Sequence, residues 1–144
     1  MIEYTVQVDN RYTKWHLRDK LHREDGPAVE YTNGTKEWYL NGQRHREDGP
    51  AIEYTNGDKW WYLNGQLHRT DGPAVEWHNG DKWWYVNGQR HRTDGAAFES
   101  INGNKSWYLN GYAVTEAAVM KPVKQLTIAE IEGLLGHRIE VIAG

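Results

Sequence analysis

Residues 22–44 read HREDGPAVEYTNGTKEWYLNGQR, and this stretch decides the fold because the chain repeats it. HREDGPAIEYTNGDKWWYLNGQL follows at 45–67, HRTDGPAVEWHNGDKWWYVNGQR at 68–90 and HRTDGAAFESINGNKSWYLNGYA at 91–113. The start points His22, His45, His68 and His91 stand 23 residues apart, and Trp15, Trp38, Trp61, Trp84 and Trp107 keep the same spacing. Fixed self-similarity at such a period is the signature of a stacked repeat architecture, in which each unit buries its apolar side against its neighbours. Residues 1–21 then hold a degenerate leading unit or cap, because WHLRDKLH from Trp15 matches WYLNGQRH from Trp38 in register.

Each unit carries strand and turn chemistry. Ala28–Thr32 is β-branched and aromatic and reads as a strand, and Lys36–Leu40 is its return strand. Asn33-Gly34 between them favours the two positive-φ positions of a type I′ hairpin turn. Asn41-Gly42 makes a second turn and Asp25-Gly26-Pro27 a third, with Asp capping and Pro fixing φ at the next strand's entry. The expectation is a mainly β protein: an elongated, single-layer antiparallel β-hairpin sheet of 23-residue period over residues 22–113. Its strands, at about 4.8 Å each, extend roughly 38 Å for eight. Like side chains are expected to stack in ladders, Trp38, Trp61, Trp84 and Trp107 on one face and Tyr39, Tyr62, Tyr85 and Tyr108 on the other.

Residues 114–144 leave the pattern and read as a small C-terminal helix–strand cap or dimerisation element. Thr115–Val119 suits a helical turn. Thr127-Ile128-Ala129-Glu130 has the capping-box spacing, and Ile128, Ile131, Leu134 and Leu135 mark an apolar helix face before a Gly136 stop. Arg138–Ile142 reads as a last strand.

Composition narrows the function classes. Mean hydropathy is −0.89, and 8 Trp and 9 Tyr stand against 1 Phe, so a thin core of aromatic ladders with little aliphatic filling is expected. A net charge of −3 gives no global drive toward DNA or anionic membrane. The absence of cysteine excludes disulfide and thiolate chemistry. The start MIEYTVQVDNRY lacks a basic segment followed by an apolar run, so a cytoplasmic location is expected. There is no Gly-x-Ser-x-Gly and no phosphate-binding glycine loop, and nothing singles out one unit as catalytic, so no enzyme and no cofactor is expected.

Two candidate sites remain. The first is the recurring His-Arg-x-Asp element, with His45, Arg46, His68, Arg69, His91 and Arg92 in rows. A guanidinium fork beside an imidazole suits a phosphate or carboxylate, which opens a nucleotide-type anionic ligand. The structural alternative is that each Arg pairs with the recurring Glu30, Glu53, Glu76 and Glu99 while His bonds the turn's carbonyls and Asp caps Gly. Metal is disfavoured, since the element gives one imidazole per unit. The second is the tryptophan excess of the middle units: Trp60, Trp77 and Trp83, beside Trp61 and Trp84. Glu37 and Ser106 fill the sister positions of Trp60 and Trp83, so Trp there is not demanded by the repeat. Clustered exposed Trp marks a contact surface, and cross-strand aromatic packing is the alternative.

The unit His-Arg-(Glu/Thr)-Asp-Gly-Pro-Ala, followed by Asn-Gly and Trp-Tyr-x-Asn-Gly-Gln, resembles the HREDGPA-type repeat proteins of tailed bacteriophages over residues 15–144. The ending LTIAEIEGLLGHRIEVIA looks like the module that often follows those repeats. More distantly the chain is similar to MORN-type repeat proteins, whose hairpins stack into elongated sheets. It departs from them in the His-Arg-x-Asp element, so no lipid binding is carried over. The resemblance implies an accessory protein in the infected bacterial cytoplasm that binds a host protein and counters host defence. Sequestration of a nucleotide-type ligand and a self-assembling scaffold, with homo-oligomers through the C-terminal element, are the alternative expectations.

Overall fold

The structure is a computed structural model and describes residues 1–120, 127–136 and 138. Among these, twelve antiparallel strands form one open sheet whose order follows the chain. It begins at Thr5–Val8, passes through Tyr12–Leu17 and then takes two strands from each unit, Val29–Tyr31 and Lys36–Glu37 being the first such pair. It ends at Lys105–Leu109 and Tyr112–Val114.

The register is the same in every unit. One row runs Val29, Glu37, Ile52, Trp60, Val75, Trp83, Phe98, Ser106, each residue directly opposite the next. The adjacent row, on the other face, alternates Glu30, Lys36, Glu53, Lys59, Glu76, Lys82, Glu99, Lys105. Opposite charges across neighbouring strands favour this pairing, and a slip by one residue would turn every side chain to the wrong face. Ala28, Ala51, Ala74 and Ala97 and the Val29, Ile52 and Val75 that follow the first three are all buried, a narrow spine in place of a bulky core.

Two details differ from the sequence expectation. The return strand is not one piece in the first three units: it changes partners at Trp38, Trp61 and Trp84. The Trp38 N–H donates to the Ala51 carbonyl in the main sheet (2.8 Å), while its carbonyl accepts from His45 (3.1 Å). Tyr39–Leu40 then pairs with Gln43–Arg44 in a second small hairpin. These second hairpins form their own row, joined by bonds such as Arg46 N–H to Tyr62 carbonyl (3.1 Å) and Gly65 N–H to Arg44 carbonyl (2.9 Å). A unit therefore contains two hairpins.

The two Asn-Gly pairs also differ. At Asn41-Gly42 both residues are left-handed (φ 51° and 82°), as a type I′ turn requires. At Asn33-Gly34 only the glycine is (φ 95°). The Tyr31 carbonyl accepts from Gly34 and the Tyr31 N–H donates to Thr35, both at 2.9 Å, which is a three-residue turn with a glycine bulge. The Asn33 side chain accepts from the Thr35 N–H (2.9 Å), and its own φ is not positive. The leading unit holds the register too, as Trp15 N–H donates to Ala28 carbonyl (2.8 Å), with Arg18 and Asp19 (φ 50° and 63°) in place of Asn-Gly.

At the other end Glu116–Val119 forms a short helix capped by the Thr115 hydroxyl. Ile128–Leu135 forms the expected longer one, with Gly136 left-handed (φ 71°) just after it. The expected last strand falls almost wholly outside the described residues.

Candidate functional site

The two faces of the sheet do different things. On the charged face each His-Arg-x-Asp-Gly element closes on itself. Arg46 donates through Nε to Asp48 (2.8 Å) and through Nη1 to Glu53 (2.8 Å) and the Pro50 carbonyl (3.2 Å). Its guanidinium also lies 3.9 Å from the centre of the Trp38 ring. Arg69 repeats this on Trp61 and Arg92 on Trp84, with Glu76 and Glu99 as their partners. Three rungs of the tryptophan ladder, Trp38, Trp61 and Trp84, are thus covered by arginines. The recurring glycine of the element leaves room for the arginine: a Cβ on Gly49, Gly72 or Gly95 would sit 2.7–2.9 Å from the guanidinium carbon and the arginine would have to shift.

The histidines bolt the two ends of each unit together. Nδ1 of His22, His68 and His91 accepts from the backbone N–H of Asn41, Asn87 and Asn110 at 3.0, 3.0 and 2.9 Å. His45 does the same for Asn64 at 3.1 Å. The sequence expectation had histidine bonding carbonyls; it accepts a backbone donor, because the left-handed Asn turns its N–H toward the histidine that opens its own unit.

Open clefts of 830, 650 and 660 Å³ lie between successive elements. Their exposed charge is acidic. The Arg side chains are 20–22% exposed, while Asp25, Asp48, Asp71 and Asp94 are 79–85% exposed. The hydrogen bond and charge of the neighbouring Arg hold all four carboxyls below the usual range. The first cleft sets Glu24, Asp25, Glu47 and Asp48 against two guanidiniums that Asp25, Asp48 and other acceptors already occupy. This geometry gives an incoming phosphate little to bind and does not favour the nucleotide reading.

The opposite face is aromatic. Trp60, half-buried, packs edge-on against Trp77 (5.5 Å between centroids) and Tyr54 (5.8 Å) and stacks near Tyr62 (6.5 Å). Trp83 lies 4.2 Å from Phe98 and 6.4 Å from both Tyr85 and Tyr108. Trp77 is 37% exposed. Trp60, Trp77 and Trp83 therefore share a face, and Trp61 and Trp84 lie on the other.

Sequence reasoning missed the residues that differentiate this face. In the first unit Glu37, 8% exposed, accepts from the Tyr39 hydroxyl (2.7 Å) and from Arg44 (3.3 Å). Burial, then the nearby Glu37, pushes the Tyr39 phenol well up. In the third unit Trp83 replaces the glutamate, and Arg90 stacks over Trp83 (4.4 Å) and Tyr108 (5.1 Å) instead. In the second, Trp60 stands at the position of Glu37 and Trp83, and Leu67 at that of Arg44 and Arg90. The signal was the joint change at sister positions: Glu with Arg, Trp with Leu, Trp with Arg.

No family model and no curated protein matches the chain. No described helix is long and apolar enough to cross a membrane.

Proposed function

We propose that this chain is a non-enzymatic binding protein that recognises a protein partner through the aromatic face of its second and third units. The observation that carries this is the placement of Trp60, Trp77 and Trp83 together on one face, at positions the repeat does not reserve for tryptophan. Large amphipathic rings ordered by neighbours lose little conformational entropy on contact, which is what a binding anchor needs. The charged face is consumed by internal pairing, so it competes poorly for that role. The resemblance to phage repeat proteins supports a partner in the host bacterium, and with it the countering of host defence.

The experiment is capture from bacterial lysate with the intact chain and with Trp60→Ser/Trp83→Ser. Serine already stands at the sister position Ser106. A specific protein should be retained by the first and lost by the second, with the β circular-dichroism signal kept. Equal retention by both would end this reading.

A further inference from the structure

The aromatic face repeats at a distance that selects a ligand conformation. Each unit contributes two strands to the main sheet, so equivalent side chains recur every 9.4–9.8 Å or so, at roughly 4.7–4.9 Å per strand. A polyproline II helix turns once every three residues and rises about 9.3 Å in doing so. Laid across the strands, it presents the same edge to Tyr39, Tyr62, Tyr85 and Tyr108 in turn and drifts by only about 1 Å over three units. An α-helix fits less well, since seven residues advance about 10.5 Å and the drift is several-fold larger. An extended strand alternates sides every residue, so a three-residue step of about 10 Å turns the wrong side to every second unit.

The chemistry of the face agrees. Proline-rich segments dock on aromatic surfaces, and their carbonyls, which have no internal partners, need donors. The hydroxyls of Tyr85 and Tyr108 sit beside Arg90, which donates to them weakly at 3.3 and 3.4 Å. Among the described residues Arg90 forms no ion pair with a carboxylate, whereas its sister Arg44 is bound to Glu37. A cation held against two rings with no counter-charge calls for an acidic side chain on the ligand.

We infer that the partner recognised by this face presents a proline-rich segment in the polyproline II conformation, running across the strands over units two to four, with an acidic side chain against Arg90. This rests on the reading of the aromatic face as the binding surface.

The test is a tryptophan-fluorescence titration of the whole chain with two synthetic probes of about nine prolines, three turns of the helix, one carrying a central glutamate and one without. Saturable micromolar binding of both is expected, the acidic probe the tighter. Trp83→Ser should weaken both by at least about tenfold, as loss of an aromatic anchor does. Arg90→Leu, which copies Leu67 of the second unit, should weaken the acidic probe by about tenfold more than the neutral one, and equal weakening of the two would count against the acidic contact. If Trp83→Ser unfolds, Arg90→Leu decides alone. No saturable binding, or equal binding of a Gly-Ser peptide of the same charge, overturns the inference. If a lysate protein is still captured in a Trp60/Trp83-dependent way, the aromatic-face reading survives that failure; if neither probe nor protein binds, both fall.

Discussion

His68 Nδ1 accepts a hydrogen bond of 3.0 Å from the backbone N–H of Asn87, the first left-handed residue of the tight turn near the end of the same unit (φ 50°). The proton of the neutral ring must then sit on Nε2. The same contact recurs at His22 and His91, so one imidazole ties the first residue of each unit to the turn of that unit's second hairpin.

Removing one such bolt leaves a turn N–H without its partner. His68→Ala should destabilise the chain by about 1–2 kcal/mol in urea denaturation. His22→Ala should cost more, because His22 is only 6% exposed and its cavity cannot fill with solvent as easily. Equal, negligible effects at both positions would show that the bond is incidental.

Glu37 and Arg44 test the grammar of the aromatic face. Arg44→Leu alone leaves a buried carboxylate with tyrosine hydroxyls but no guanidinium beside it and should cost about 1–3 kcal/mol. Glu37→Trp added to it recreates the second unit's Trp60 and Leu67 and should restore most of that loss. A double-mutant cycle by chemical denaturation reads the coupling directly. Additive effects would mean that the sister positions change independently.

Acid should loosen the repeat. The carboxyls of Asp25, Asp48, Asp71 and Asp94 are held low by their arginines. For Asp58, burial acts upward, but bonds from the His78 backbone and ring and from Asn56 outweigh it, and the net shift is downward. A carboxyl depressed in the folded state stabilises it above the unfolded value, near pH 3.9, and that contribution fades as pH falls through the folded value. The urea midpoint should therefore be flat near neutrality and drop below about pH 4, less steeply in high salt because the Asp–Arg pairs are exposed. A fourfold Asp→Asn variant at positions 25, 48, 71 and 94 should flatten the drop. An acid profile identical to that of the parent would refute the assignment.

The broad architecture was legible in the sequence because several signals agreed. The period of 23, the β-branched strand at Ala28–Thr32 and the Asn-Gly turns all pointed to stacked hairpins, and the sheet has that form. The second hairpin was not legible. Lys36–Leu40 is uniform in strand propensity, and the change of partner at Trp38 follows from bonds to Ala51 and His45, far along the chain. The two turn types were hidden for a similar reason: Asn33 and Asn41 carry the same dipeptide, and only the Thr35 N–H and the His22 ring separate them. At the candidate site, the pairing of Arg46, Arg69 and Arg92 with Glu53, Glu76 and Glu99 could be foreseen from the repetition itself. The roles of Arg44 and Arg90 could not, because facing Glu37 or Trp83 depends on cross-strand register.

The claim beneath the rest is that the arginine rows hold the sheet together, leaving recognition to the opposite face. Lysine keeps the charge but loses the planar fork that joins Asp, Glu, a carbonyl and a Trp ring at once. The most direct measurement is the unfolding free energy of Arg46→Lys/Arg69→Lys: a fall of about 2–4 kcal/mol is predicted, and an unchanged value would contradict the account, since guanidiniums that stabilise nothing would be free for a ligand.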